Sequence, residues 1–205
     1  MALIDDLIKK GWLKTPRIIE AFRRIKRADF LPEDSKRLAE MNIALPIGYG
    51  QTISQPLVVA FMIEQLQPKK GDKIFDVGSG SGWTTAILSY LVGDKGEITS
   101  FEIIPELKEF GEKNVSKYNF IKKGIARFFC ADGSKKHAEK ESLDAILASA
   151  SGEELPKAWK EELKIGGRIV APIKSSIWVF IKQLDNNFEK IEYTGFSFVP
   201  LITDK

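Results

Sequence analysis

Between Lys73 and Ile173 the sequence alternates short apolar segments with amphipathic ones, and this alternation limits the possible folds more than any other feature. Short apolar segments bounded by glycine or charged residues are typical of buried strands, whereas the longer segments between them have the apolar spacing of helices. Strands that alternate with helices pair in parallel through right-handed crossovers, which place the helices on the faces of the sheet. The alternation therefore predicts an α/β fold.

Seven segments are predicted to be strands, and the last two differ from the rest. They are joined by the short turn Asp185-Asn186-Asn187 rather than by a helix, which predicts an antiparallel hairpin. The predicted architecture is a doubly wound, mostly parallel seven-stranded Rossmann-like sheet with an antiparallel C-terminal hairpin. The predicted strands are residues 73–78, 97–102, 125–132, 143–150, 168–173, 177–184 and 190–202. The predicted helices are residues 3–10, 16–25, 56–67, 83–92, 105–118 and 154–163.

The length and composition are typical of one soluble domain. The 205 residues carry a net charge of +3, too small an excess to indicate a nucleic-acid partner. Cys130 is the only cysteine, so no intrachain disulfide can form, and neither a signal peptide nor a long apolar span is recognised. We therefore expect a cytoplasmic protein with no membrane contact and no obligate protein partner. One domain is expected over 1–205, with a helical and substrate-loop extension at 1–55 and an α/β core at 56–205.

The sharpest local motif is DVGSGSGWTTAIL, which begins at Asp76. A predicted strand, a glycine turn and a predicted helix follow one another here, and in a doubly wound sheet such a turn is where ligands bind. A dinucleotide site would need glycine at position 83, where the chain has Trp83. Asp76, just ahead of the first glycine, favours a cationic group over a pyrophosphate. These residues favour S-adenosylmethionine, although glycine turns also occur as plain connections.

Polar residues also end the next three predicted strands. Glu102 ends the second strand, where a carboxylate can accept both hydroxyls of a ribose. Asp132 and Gly133 end the third, where an acid can accept from an adenine amino group, and Ser149 ends the fourth. Either acid alone could be a helix cap or an exposed strand end. Their common position at strand carboxyl ends predicts one crevice shared with the glycine turn.

The segment LPIGYGQTISQP, from Leu45 to Pro56, has no helical or strand period and no charge. It is predicted to be a loop ahead of the apolar helix that begins at Pro56. Ser54 stands where helix caps are common, and from its spacing alone the cap is the favoured interpretation.

The motifs LPIGYGQTISQP, DVGSGSG, FCADGS, LDAILASA, LKIGGRIVAPI and FVPLI occur in this order. Together they resemble the protein-L-isoaspartate O-methyltransferase family, and the resemblance covers nearly the whole chain. GQTIS is the most specific of them, because most S-adenosylmethionine-dependent methyltransferases share the glycine turn. The resemblance implies the methyltransferase form of the Rossmann-like sheet. It also implies methyl transfer from S-adenosylmethionine to the free carboxylate of L-isoaspartyl residues in damaged proteins and peptides, which initiates repair through a succinimide.

The resemblance also implies roles for individual residues. A neutral loop that carries hydroxyls can hold a substrate carboxylate without quenching its nucleophilicity, so Ser54 becomes the predicted catalytic residue, which orients that carboxylate. The predicted cofactor-binding residues are Thr52, Ser54, Asp76, Gly78, Ser79, Gly80, Gly82, Glu102, Asp132 and Gly133. The predicted substrate-binding residues are Gly50, Gln55 and Ser149. No metal is predicted, and His137, the only histidine, is expected at the surface.

One motif departs from the family pattern. After the fourth strand the family usually has a TAAAP-like segment, where this chain has SASGEELP. This difference keeps open a related methyltransferase that acts on another carboxylate or small molecule. The slight basicity keeps open a non-catalytic module that binds S-adenosylmethionine or RNA. A nicotinamide oxidoreductase is the least favoured alternative because of Trp83.

Overall fold

The structure, a computed structural model, describes residues 3–204. Its elements follow the predicted alternation, with short 3-10 turns between some of them. The helices are α1 Leu3–Lys9, α2 Pro16–Arg24, α3 Pro56–Leu66, α4 Trp83–Val92, α5 Pro105–Ser116 and α6 Lys157–Glu162. The strands are β1 Leu45–Gly48, β2 Gln51–Ile53, β3 Lys73–Val77, β4 Glu97–Glu102, β5 Ala126–Cys130, β6 Leu143–Ala148, β7 Leu163–Ile173, β8 Ser176–Lys182 and β9 Phe188–Thr194.

The main sheet has seven strands in the order β5-β4-β3-β6-β7-β8-β9. β5, β4, β3, β6 and β7 pair in parallel, whereas β8 and β9 are antiparallel to their neighbours. The chain order therefore reverses at β3, so the carboxyl ends of β3, β4 and β6 border one crevice. The predicted doubly wound sheet and its antiparallel hairpin are both confirmed.

Both faces of the sheet are packed, as the alternation in β3 illustrates. Ile74 packs into one cluster with residues of α3 and α4, including Met62 and Leu88. Phe75 belongs to a second cluster that contains Trp159 of α6. Successive side chains of a strand point to opposite faces, so this short apolar run is buried on both sides.

The N-terminal helices extend the core over the amino end of α4. Phe22 of α2 packs edge-to-face on Trp83, with the ring centroids 5.6 Å apart. Ala21 and Phe22 share one hydrophobic cluster with Ile87 of α4 and Val115 of α5. The described part of residues 1–55 therefore packs on the α/β core.

Residues 45–53 form a β-hairpin, so the prediction of a loop without regular structure was wrong. Leu45 pairs with Ile53 in the antiparallel ladder, and Gly48, Tyr49 and Gly50 at the tip all have positive φ angles. Pairs this short leave no detectable period in the sequence. The hairpin carries Thr52 towards the carboxyl edge of the sheet, and Ser54 follows directly after β2.

Among the other element bounds, the largest differences from the prediction are at the start of β7 and the end of β9. β7 begins at Leu163 rather than at residue 168 and therefore includes Gly167, where a Cβ atom would lie 2.9 Å from the carbonyl oxygen of Asp144. Glycine is required at this close approach between β7 and β6. β9 ends at Thr194, and the residues beyond it cross the carboxyl edge of the sheet without continuing the strand. Within residues 3–204 no helix is long and apolar enough to cross a membrane.

Candidate functional site

A crevice at the carboxyl ends of β3, β4, β5 and β6 holds about 730 Å³ of unfilled space, including its open mouth. The hairpin forms one wall, the glycine turn after β3 forms the floor, and the chain beyond β9 forms a third side. Eight of the predicted site residues line this crevice. They are Thr52, Ser54, Gly78, Ser79, Gly80, Glu102, Gly133 and Ser149.

The glycine turn is fastened to the end of β4. The backbone N–H groups of Gly78 and Ser79 both donate to the carbonyl of Phe101, at 2.9 and 3.1 Å. The Gly80 N–H donates to Oε2 of Glu102 at 2.9 Å, and Oε1 of Glu102 accepts from the Ile104 N–H at 3.1 Å. Glu102 is thus held in a fixed position at the crevice. Each of its oxygens keeps acceptor capacity, since a carboxylate oxygen accepts more than one hydrogen bond.

Asp76 lies beneath the turn rather than in the lining of the crevice. It is fully buried, and its Oδ2 accepts hydrogen bonds from the hydroxyls of Thr84 and Thr85, at 2.8 and 2.6 Å. Burial raises the pKa of Asp76 to about 6, against the two threonine bonds, which lower it. The carboxylate is therefore a destabilised charge close to the site.

Two buried atoms near the turn have no hydrogen-bond partner among the described residues, and both suit a donor-bearing ligand. They are Oδ1 of Asp76 and Oγ of Ser79. A buried polar atom without a partner is rare in native proteins, and such an atom usually binds a ligand or an ordered water. The charge of Asp76 beneath the turn favours a cationic group in the crevice, so this arrangement fits the ammonium-bearing end of S-adenosylmethionine better than a phosphate.

Asp132 is engaged by the protein itself. Its Oδ1 accepts from the backbone N–H and the hydroxyl of Ser134, at 2.9 and 2.6 Å, and its Oδ2 accepts from the Asp204 N–H at 3.0 Å. Although burial alone would raise the pKa of Asp132, the bonds from Ser134 and Asp204 hold this pKa below its usual value. Asp132 itself is not part of the crevice wall, whereas its neighbour Gly133 is.

Three other predicted residues also lie outside the lining. Gly82 lies at the start of α4, where this helix packs against α5. A Cβ atom at position 82 would lie 2.7 Å from the carbonyl oxygen of Gly111. The Gln55 side chain donates to the Asn42 carbonyl at 2.9 Å. Gly50 is in the exposed tip of the hairpin. Of the substrate-binding set, only Ser149 borders the crevice.

Ser54 does not cap α3. The N-cap residue of this helix is Gln55, which makes no side-chain cap bond, and the first-turn N–H of Leu57 is bound by Oδ1 of Asn42 at 3.0 Å. Asn42 therefore does the capping that the sequence suggested for Ser54. The interpretation of Ser54 as a helix cap was wrong, and its hydroxyl remains available at the crevice.

Several crevice residues were not predicted. Ile103 and Ile104, directly after Glu102, form an apolar part of the crevice wall. Their position next to an acid at a strand end is the sequence feature from which they could have been predicted. The segment 199–202 also lines the crevice, docked by backbone bonds from Ser151 N–H to Val199 and from Leu201 N–H to Ser151. The motif FVPLI was noticed in the sequence, but it was assigned to a strand.

His137 is exposed, as expected, although its ring is not free of contacts. Its ring stacks on Phe101 with the centroids 4.3 Å apart, and its Nε2 lies 2.7 Å from the Asp132 carbonyl oxygen. Oε1 of the buried Glu162 accepts from the backbone N–H groups of His137 and Ala138. These contacts order the loop that carries Gly133. Among residues 3–204 no cluster of three or more metal-ligating side chains occurs.

The sheet order, the glycine turn and the crevice at the strand ends define the fold of an S-adenosylmethionine-dependent methyltransferase. Residues 1–205 match the sequence profile described as protein-L-isoaspartate(D-aspartate) O-methyltransferase. The chain belongs to this family.

Relatives and solved structures agree with this assignment. The chain is 34% identical over 207 residues to the protein-L-isoaspartate O-methyltransferase of Methanopyrus kandleri, covering 99% of this chain and 91% of that protein. It is 37% identical over 188 residues to protein-L-isoaspartate O-methyltransferase 2 of Archaeoglobus fulgidus, covering 90% and 84%. A solved protein-L-isoaspartate O-methyltransferase superposes with a TM-score of 0.86 at 27% identity, covering 97% of this chain and 64% of that one. A Plasmodium falciparum structure in complex with S-adenosyl-L-homocysteine shows the same fold, with a TM-score of 0.85 at 20% identity over 98% of this chain and 97% of that one.

Proposed function

We propose that this protein transfers a methyl group from S-adenosylmethionine to the free carboxylate of L-isoaspartyl residues in damaged proteins and peptides. The observation that carries the proposal is that the hairpin and the glycine turn line the same crevice. Ser54 and Glu102 both face this crevice. A neutral hydroxyl thus stands close to a cofactor-type loop. The family membership gives this arrangement its substrate.

The proposed reaction needs alignment more than proton transfer. The nucleophile is a carboxylate, which is already ionised at neutral pH, so no general base is required. S-adenosylmethionine supplies a methyl group activated by its own positively charged sulfur. We propose that Ser54 donates a hydrogen bond that orients the substrate carboxylate, and positioning of this kind contributes several kcal/mol, with an upper range of about 7–11 kcal/mol. The transfer releases S-adenosylhomocysteine. The neighbouring amide nitrogen then attacks the ester without the enzyme and displaces methanol to form a succinimide, whose hydrolysis yields normal aspartate in part.

We propose different duties for the two groups of site residues. The crevice residues Gly78, Ser79, Gly80 and Glu102 contact the cofactor directly. The carboxylate of Asp76 acts from beneath the turn, where its raised pKa reflects a charge that a cationic ligand would stabilise. Gly50, Gln55, Gly82 and Asp132 lie outside the lining and act by holding the segments that form it. Thr52, Gly133 and Ser149 complete the surfaces that face the ligands.

The division of the chain follows the same scheme. We propose residues 1–55 as the substrate-side extension and 56–205 as the cofactor-binding core of one domain. The proposed partners are isoaspartyl peptides and proteins, and the proposed location is the cytoplasm, since a chain with only Cys130 needs no oxidising compartment.

The test compares an isoaspartyl peptide with its aspartyl twin in a methyl-transfer assay. We expect methylation of the first only. Ser54→Ala should slow the transfer by roughly tenfold to a hundredfold while leaving cofactor affinity nearly unchanged, because the lost bond matters most in the transition state. Ser116→Ala, at an exposed site on α5, is the matched control and should keep the full rate. Equal methylation of both peptides would favour another carboxylate substrate, and salt-dependent RNA binding without turnover would favour the non-catalytic alternative.

A further inference from the structure

Arg27 is a buried arginine whose partners are unusual. Its residue exposure is 5%, and every hydrogen-bond partner of its guanidinium within residues 3–204 is a backbone carbonyl. Nη1 donates to the carbonyls of Ala39 and Met41, at 3.2 and 3.1 Å. Nη2 donates to those of Ile43 and Ser54, at 2.8 and 3.2 Å. Arginine is seldom buried unless it is paired, so this placement needs an explanation.

The four carbonyls belong to the two segments that flank the β1–β2 hairpin. Ala39, Met41 and Ile43 precede β1, and Ser54 follows β2 directly. One planar group therefore ties both ends of the hairpin together at its base. The fourth of these carbonyls is that of Ser54 itself, whose hydroxyl remains at the crevice.

Arg27 also reaches the cofactor side of the site. Its guanidinium carbon lies 5.5 Å from the ring centroid of Trp83, which is the first residue of α4 and lines the crevice next to the glycine turn. A guanidinium over an indole face is attracted by the ring quadrupole. Arg27 thus contacts the segments that flank the hairpin through their carbonyls, and the start of α4 through the ring of Trp83.

Only arginine can make this set of contacts. Its guanidinium presents five N–H donors in a rigid plane, whereas the lysine ammonium has three donors around a single atom. Burial lowers the pKa of Arg27 to about 10, so the side chain stays charged at neutral pH. The surrounding carbonyl dipoles compensate for this buried charge.

We infer that Arg27 is a positioning residue, which holds the Ser54 segment at a fixed distance from the glycine turn through the two ends of the hairpin and Trp83. The inference rests on the proposed function and deepens it. Arg27 touches no reacting atom in this scheme. Its effect passes through Ser54, so its loss should impair methyl transfer more than cofactor binding.

The test is Arg27→Lys, with Arg17→Lys as the matched control. Arg17 donates to a single carbonyl, that of Leu91 at 2.8 Å, at the far end of α4. Arg27→Lys keeps the charge but cannot span four carbonyls. We expect at least a tenfold lower kcat/KM for an isoaspartyl peptide, with S-adenosylhomocysteine affinity by calorimetry within threefold of wild type. Hydrogen exchange at residues 45–54 should accelerate in this variant only, and Arg17→Lys should change neither property.

Three results would overturn the inference. These are an Arg27→Lys enzyme with a rate within twofold of wild type, an equal fall in rate and cofactor affinity, or unchanged hydrogen exchange in the hairpin. Arg27→Gln is made in parallel, because an uncharged amide lowers the cost of burial; if neither variant folds, the role of Arg27 is structural and the inference fails. A wild-type enzyme that does not methylate isoaspartyl peptides would refute the proposed function alone, since the exchange measurement still tests the hold of Arg27 on the hairpin.

Discussion

Gly82→Ala should destabilise the protein for two separable reasons. Gly82 has a φ of 86°, in the left-handed region, where a side chain costs about 1–2 kcal/mol. An added Cβ would also meet the Gly111 carbonyl oxygen at 2.7 Å and Cγ2 of Val115 at 2.9 Å. Such overpacking typically costs about 1–3 kcal/mol. Together these terms give about 2–5 kcal/mol, partly offset by the lower entropy of the unfolded alanine chain, about 0.4–1 kcal/mol.

Gly71 provides a matched control within the same chain. Its φ is also 86°, but nothing lies within 4 Å of the position that a Cβ would occupy. Gly71→Ala therefore carries the same backbone strain and the same unfolded-state entropy without the collision. The difference between the two variants isolates the close approach of α4 to α5, and we expect it to be about 1–3 kcal/mol.

The assay is equilibrium unfolding in urea, with the free energies of unfolding compared at an unchanged m-value. A difference below about 0.5 kcal/mol would refute the reasoning, because it would mean that α4 and α5 separate at negligible cost. An m-value that changes in one variant would show that more than the local contact has altered.

Three further predictions concern the crevice. Asp76 has a folded-state pKa raised to about 6, so its contribution to stability is present below about pH 4 and is lost as the pH rises through 6. Asp76→Asn should therefore gain up to about 2 kcal/mol relative to wild type between pH 4.5 and 7.5 in cofactor-free urea unfolding, and a constant difference would contradict the raised pKa. Glu102→Ala should weaken S-adenosylhomocysteine binding by about 1–3 kcal/mol in calorimetry, whereas Glu97→Ala, at the opposite end of β4, should not. His137→Ala should weaken this binding several-fold with kcat changed by less than tenfold, because no proposed step uses a titrating base; a larger fall in kcat would give the ring a role in the reaction.

The site features that were predictable from sequence are those set by local pattern. The glycine turn, Glu102 and the strand of Ile74 and Phe75 could be recognised because periodicity and turn chemistry are properties of neighbouring residues. The parallel pairing followed from the alternation, and the strand-end position of Glu102 followed from the pairing. Helix α4 was predicted at its observed bounds, since Gly82 and Gly93 mark its ends.

The features that were not predictable depend on residues far apart in the chain. Spacing alone favoured Ser54 as a helix cap, whereas the family resemblance predicted that it orients the substrate carboxylate; in the structure Asn42, 15 positions before Leu57, caps the helix. Asp132 was predicted from its position to face the ligand, whereas its Oδ2 accepts from the backbone N–H of Asp204, 72 positions later in the chain. The spacing of residues in the sequence does not indicate which distant residue will donate a hydrogen bond to a given acceptor.

Sequence alone determined the fold class and the family, because both rest on patterns that repeat along the chain or match short motifs. Tertiary structure alone decided how the crevice is held together. Arg27 stands in a run of basic residues that reads as a solvated surface, yet it is buried against the carbonyls of two segments and the ring of Trp83. The physical reason is that the free-energy cost of burying a charge is offset only when several carbonyl dipoles point at it. These carbonyls come together only after the chain has folded.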